Sequence, residues 1–413
     1  MTSPQKSVSS IHELILAVQE PGVKNIIVQG CLVNVPSLRL APGQAIEGRD
    51  HQATITFIAG QDGLQLSTDN EVCRLRLETS IEHRAIFNDT DVDSLGLIRL
   101  TDVVTVGQVQ ILARDKVRSG HVEVDGLHVA AADARGRSDR PAGFGVHVIQ
   151  GAFTLWNMQA DEQVVITANL IDLSAGSAAA PVLGSGIFVS GPGFDKGRLS
   201  VRLLETGPVY SDGRIAPGTP DVITGGVFTV HGAYVDTVRN LAPVVTYGVN
   251  DMVLDNWGQV DCWEAEEKIT SYGPSGIGFV NFGVVNELKV SAPIETFGQG
   301  ARGFNVYAGT VNLAEFDRII THADGAVGVQ ISQPIGQLRV LRGIETFGAT
   351  GESLVKGVVT TLSAIGLSIK PGGSAREIVI AGGIATHGAG IAPLEMHGEI
   401  GALHITGATR AAS

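Results

Sequence analysis

A single long right-handed parallel β-helix, all-β apart from a short N-terminal capping helix, is the fold this sequence predicts. Three observations carry the prediction. A short motif returns about every two dozen residues, glycine occupies 53 of 413 positions, and aromatics are held to 5% while hydrophobic residues reach 44%. Small and aliphatic side chains suit tightly stacked coils, and abundant glycine suits turns with unusual dihedrals. Charged residues make up only 17%, so the chain has too much aliphatic surface for disorder.

The elements follow in order. Residues 1–20 form the cap: Ile11 to Val18 reads as a short amphipathic helix behind Ser9-Ser10, a plausible N-cap. A helix there covers the open end of the core and stops edge pairing. Residues 21–413 form one solenoid of 20–26 residues per coil. Its first third carries Val28-Gln29-Gly30, Ile46-Glu47-Gly48, Leu64-Gln65-Leu66 and Leu75-Arg76-Leu77. Lateral loops are expected at 132–143, with Arg135, Arg137, Arg140 and Pro141, at the Gly-, Pro- and Asp-rich 191–220, and at 366–378.

The repeat is plainest in the second half. Ile294-Glu295-Thr296-Phe297-Gly298 returns as Ile344-Glu345-Thr346-Phe347-Gly348. Steps of 25, 26 and 24 residues place Ile269, Ile294, Ile320 and Ile344 directly above one another, with Val245, Ile223 and Leu204 continuing the column backwards. A longer step of 40 to Ile384 implies a loop inserted near Lys370 to Ala375. Two further alternating segments per period, such as Phe304 to Tyr307 and Gly309 to Phe316, complete three strands per coil. Stacked coils hydrogen-bond at about 4.8 Å per rung. The residue after each inward one points outward, giving the column Glu205, Thr224, Thr246, Thr270, Glu295, Thr321, Glu345, Ala385.

In period, glycine placement and capping helix, nearly the whole chain resembles the pectate-lyase-like superfamily of right-handed parallel β-helices. The stretch from Val245 onward also looks like the β-helical repeats of secreted adhesins. The resemblance implies, for most members, enzymes acting on polysaccharides, and for others phage tailspikes and adhesins. The polygalacturonase Asn-Thr-Asp and Asp-Asp pair and the pectate-lyase Arg-x-Pro-x-x-Arg are both missing, so function has to be argued from the site.

Glu295 and Glu345 stand two rungs apart, roughly 9.6 Å by backbone spacing. Paired carboxylates roughly 6.5–9.5 Å apart suit inverting glycoside hydrolysis, with water between base and sugar. These two are the candidate acid and base, with Lys356 and Asp255 as further catalytic candidates. A second outward column runs Asn256, Asn281, Asn305, Gln330, Lys356, Glu395. Within it Asn305 and Gln330 are candidate substrate contacts, and Arg302 beside them could hold a carboxylate in bidentate fashion. Seven of the eight Trp and Tyr residues fall within 210–307. Of these, Trp257, Tyr307 and Tyr247 are candidate platforms for a sugar ring, and Trp257 is expected at the surface. Each group also has a structural alternative: a repeat feature paired to a neighbouring cation, an amide ladder, or an aromatic ladder inside the solenoid.

Other classes are set aside. A formal charge of −13 and a pI near 5.3 argue against nucleic acid. No run of about 18 apolar residues predicts a membrane helix. Met1 to Glu20 does not read as a secretory signal, so cytoplasmic residence is expected, or extracellular if a leader has been removed. Cys31, Cys73 and Cys262 read as small buried apolar residues. The acidic stretch Asp251, Asp255, Asp261 and Glu264 to Glu267 lacks calcium-loop spacing, and no HExxH, dinucleotide or P-loop motif occurs. Neither metal nor cofactor is therefore expected. Three functions follow in order: a carbohydrate-active enzyme (hydrolase, lyase or epimerase) binding a sugar or oligosaccharide in a lateral groove; a non-catalytic tailspike-like or adhesin-like protein; and an intracellular small-molecule isomerase or lyase. Lateral pairing or trimerisation into a homo-oligomer stays open.

Overall fold

The computed structural model describes residues 4–355 and 358–412. Strands from successive coils pair in parallel along the length of the chain, forming a parallel β-helix with three faces. In a regular coil, face 1 is Ile277–Asn281, face 2 Val284–Val290 and face 3 Ile294–Thr296. The same three recur 25 residues later as Arg302–Val306, a strand starting at Thr310, and Ile319–Thr321. Towards the N-terminus faces 2 and 3 merge into single long strands, such as Arg198–Asp212. That strand pairs onward with both Ala233–Asn240 and Val244–Thr246.

The cap forms as its sequence dictates. Ser10 caps the helix Ile11–Gln19, and Glu13 reaches back to complete a capping box. Leu14 and Ala17 are fully buried, and the helix packs on the first four strands of the chain, over the end of the core.

Side-chain columns set the register. Ile269, Ile294, Ile319, Ile344 and Ile384 stack in face 3, each at most 1% exposed. This corrects the expected column by one residue: Ile319 stands between Ile294 and Ile344, while Ile320 faces outward between Glu295 and Glu345. Two isoleucines in succession hide the register, and the following threonine reveals it. Thr246, Ser271, Thr296, Thr321, Thr346 and Thr386 form an inward column. There Thr321 and Thr386 each donate at 2.7 Å to a carbonyl five residues on, so Thr321 and Thr246 are not outward. The outward column reads Tyr210, Val245, Thr270, Glu295, Ile320, Glu345, Ala385. Leu204 belongs to face 2 and Ile223 to face 1.

Face 1 is flattened against face 3 by glycine. Gly278, Gly303, Gly328 and Gly366 each lie against the Cγ2 methyl of one isoleucine: Ile294, Ile319, Ile344 and Ile384 respectively. The two columns interlock, which accounts for both the glycine content and the isoleucine repeat. The turn from face 3 back to face 1 takes a left-handed residue in each coil, at Asn250, Ser275, Gly300 and Gly325.

Two lateral elements cover the outer side of face 1. Ala142–Gly143 and Val146–Val148 form a small hairpin, and its second strand joins Val222 and Ile223 of face 1. The extra residues of the 40-residue step do not form a loop near 370. They form an antiparallel hairpin, Thr350–Val355 with Val358–Ser363, whereas Lys370 to Gly373 make only a tight turn. Within 191–220, the strand Arg198–Asp212 leaves two shorter loops on either side. Cys31 is exposed and Cys73 and Cys262 are half-buried, so they are not the buried apolar residues expected. Among the described residues, no helix is long and apolar enough to cross a membrane.

Candidate functional site

Because both sides of face 1 are covered, its outward residues are as buried as its inward ones. Two outward columns matter. One runs Met252, Ile277, Arg302, Val327; the other runs Phe228, Asp255, Val280, Asn305, Gln330, Ser368, Glu395. The predicted amide column therefore divides. Asn256 and Asn281 belong to the neighbouring position and bond to each other at 2.8 Å, while Asn305 and Gln330 share a column with Asp255. Lys356 lies outside the described residues.

Between these columns and the covering hairpins lies a small pocket of about 40 Å³. Its walls are mostly apolar: Met252, Ile277, Val280, Phe282 and Tyr307 from the coils, Phe144 and Val146 from one hairpin, and Leu354 from the other. An outer groove of about 240 Å³, between the 217–218 loop and the second hairpin, shares Ser275 and Leu354 with it. These two residues hydrogen-bond at 3.0 Å, and Ser353 donates to the Gly300 carbonyl at 2.7 Å.

Asp255 is the polar group of this pocket with the least support. It is fully buried, and neither carboxyl oxygen accepts a hydrogen bond. Burial drives its pKa well above the usual carboxylate range; the nearby Trp257 indole tempers this without completing a hydrogen bond. Burial thus favours the neutral form of the Asp255 carboxyl. Asp251, four residues earlier, makes the contrast. Also fully buried, it is pushed up to about 7 by desolvation, but it accepts from the Gly213 and Gly248 amides and the Thr224 hydroxyl, which tie two turns to the coil.

Outside the core the rings divide into two sets. Trp257, Phe282 and Tyr307 occupy one turn position in successive coils, with centroids 5.7 and 5.3 Å apart. Trp257 is fully buried rather than at the surface, because Phe144 of the first hairpin packs edge-on against it at 5.2 Å. His231, which sequence spacing did not single out, is half-buried 5.0 Å from Trp257, and burial lowers its pKa. Tyr247 belongs to the second set, an outward stack on face 3: Tyr247, Tyr272, Phe297, His322, Phe347, His387. Neighbouring centroids there are 4.4–5.4 Å apart and the planes lie within 14° of parallel. An aromatic ladder also runs inside the solenoid, where Trp263, Phe279, Phe304 and Phe316 are fully buried with neighbouring centroids 4.8–6.1 Å apart. Tyr247 ends the outer stack, with one ring face against Tyr272.

Glu295 and Glu345 stand two rungs apart, but on face 3, away from the pocket. Glu295 is ion-paired with Lys268 and bonded to His322 at 2.8 Å. Burial works to raise its pKa, and the hydrogen bonds from Lys268 and His322 outweigh it, holding it below the usual range. Glu345 pairs with Arg318 at 2.8 Å. Glu395 is similarly engaged by Lys370 at 2.7 Å. Carboxylates so committed anchor the coil surface.

The structure thus brings together Asp255, Trp257, Tyr307, Arg302, Asn305 and Gln330 on one covered face, and leaves Glu295, Glu345 and Tyr247 on another. Among the described residues, no cluster of three His, Cys, Asp or Glu side chains is placed to hold a metal ion. Comparison with known protein families, curated proteins and solved structures finds no match.

Proposed function

We propose that this β-helix acts on a small molecule held between face 1 and its two covering hairpins, with Asp255 as proton donor. The chemistry is then of the isomerase or lyase kind. The observation that carries the reading is Asp255 itself, a fully buried carboxyl against apolar and aromatic walls, with no protein partner for either oxygen. A buried polar group left unpaired is costly and asks for an explanation. A carboxyl kept protonated near neutral pH by an apolar environment is the arrangement general acids use.

The pocket wall selects the substrate class. A sugar carries hydroxyls on every side, each needing a partner on burial, whereas Met252, Ile277, Val280 and Phe282 supply none. A small body with an apolar surface and few polar groups suits such a wall. Polysaccharide cleavage, the activity the superfamily resemblance implies, would have to use Glu295 and Glu345, whose oxygens already serve Lys268, His322 and Arg318. A second reading, the non-catalytic scaffold, draws support from face 3, where rings and ion pairs repeat evenly along the coils.

A thermal-shift screen with small acids, small neutral molecules and oligosaccharides tests this. Stabilising hits should be small and apolar-bodied, should weaken in Asp255→Asn, and should persist in Glu295→Gln and Glu345→Gln. Those two variants should themselves lose little stability, since half-exposed ion pairs contribute about 1 kcal/mol or less. Oligosaccharide hits abolished by either Glu substitution would overturn the proposal and favour a carbohydrate-active enzyme.

A further inference from the structure

Buried polar groups stand one rung beyond the apolar wall of the pocket. Met252 and Ile277 line it from one outward column, Asp255 and Val280 from the other. The next members of those columns are Arg302 and Asn305, one rung on, about 4.8 Å further along the axis. Both are fully buried. The Arg302 Nη1 donates to the Gly300 carbonyl at 3.0 Å, while its Nε and Nη2 reach no acceptor. Neither amide atom of Asn305 is bonded, and the Gln330 carbonyl oxygen, one rung beyond, is also unbonded. The Arg302 guanidinium carbon lies 5.9 Å from the ring centroid of Tyr307, itself a pocket wall.

A guanidinium is permanently charged, and a buried charge without a counter-ion is strongly unfavourable. The free Nε and Nη2 form one edge of the guanidinium fork, the edge that receives a carboxylate through two parallel hydrogen bonds. Asp255 cannot serve. It stands two rungs from Arg302 in the other column, and its oxygens accept from no protein group.

We infer that Arg302 and Asn305 form an anion subsite one rung beyond the pocket wall, so that the ligand is a small carboxylic acid. Its carboxylate sits on the guanidinium fork and the Asn305 amide. Its apolar body lies on Ile277, Val280 and Phe282, and its opposite end faces Asp255. This assignment rests on the reading of the pocket given above, and deepens it by naming the charged group that the ligand carries.

Isothermal titration of the full chain with acetate and its neutral counterpart acetamide tests the inference. The carboxylate should bind the wild type at least about tenfold more tightly than the amide, the size expected of charge-assisted hydrogen bonds. Arg302→Met should remove that preference by weakening the carboxylate alone. Arg302→Lys, which keeps the charge but not the fork, should retain part of it and guards against misfolding of the Met variant. Equal binding of the two probes to wild type, or a preference that survives in Arg302→Met, overturns the anion subsite while leaving the pocket intact. Failure of both probes to bind the wild type overturns the pocket reading and this inference with it.

Discussion

Asp255→Asn is expected to be more stable than the wild type at neutral and alkaline pH, and equal to it near pH 4. The Asp255 carboxyl has its pKa raised in the folded chain from an ordinary 3.8. Below 3.8 both folded and unfolded chains hold the proton. Above it the unfolded chain releases the proton while the folded chain keeps it, so stability falls by about 1.4 kcal/mol per pH unit until the raised pKa is reached. The amide of the variant does not titrate and carries no such dependence. Asp251 contributes a slope of the same sign between 3.8 and about 7, but it is present in both proteins and cancels in the difference. Urea unfolding of the two proteins across this pH range reads the effect. A variant that gains stability while losing ligand binding is the signature of a residue kept for function. Parallel stability–pH curves would mean that Asp255 is ionised in the folded chain.

The second large effect concerns the coil itself. Gly303→Val should destabilise the protein by about 3 kcal/mol or more, as overpacking in a close-packed core does. A Cβ at Gly303 would overlap Ile319 Cγ2 and the Gly328 carbonyl, and neither can retreat without breaking the register of the next coil. Ile319→Ala made together with Gly303→Val should recover part of the loss, because it removes the methyl that the new side chain meets. Ile320→Ala in the same background should recover nothing. Urea unfolding of the three proteins checks both the glycine–isoleucine interlock and the one-residue shift of register.

That shift shows what the sequence could and could not say. Period, three strands per coil and the Ser10-capped helix were all legible, because hydrophobic alternation and capping chemistry are local. The register at Ile319-Ile320 was ambiguous because either isoleucine suits the core. The threonine two places after the inward residue would have resolved it, since only an inward hydroxyl can reach the turn carbonyl. The pairing of Glu295 and Glu345 was legible in the same way: Lys268 and Arg318 each precede an inward isoleucine one rung away.

Convergence of the site was less accessible. Asp255, Arg302, Asn305 and Tyr307 stood out by residue type, but their burial depends on two hairpins that cross face 1 from distant parts of the chain. Phe144 and Leu354 cover Asp255 although one precedes it and the other follows it by about a hundred residues. No periodicity records such a contact. The 40-residue step signalled an insertion, yet its place, at 350–363 and not near 370, decides whether face 1 is an open wall or a covered pocket.

Infrared difference spectroscopy between the wild type and Asp255→Asn at pH 7 tests the central claim most directly, because it observes the carboxyl itself. The account predicts a protonated-carboxyl C=O stretch in the wild type, absent from the variant, that shifts when acetate is added. The antisymmetric and symmetric carboxylate bands appearing instead, unaltered by the probe, would contradict it.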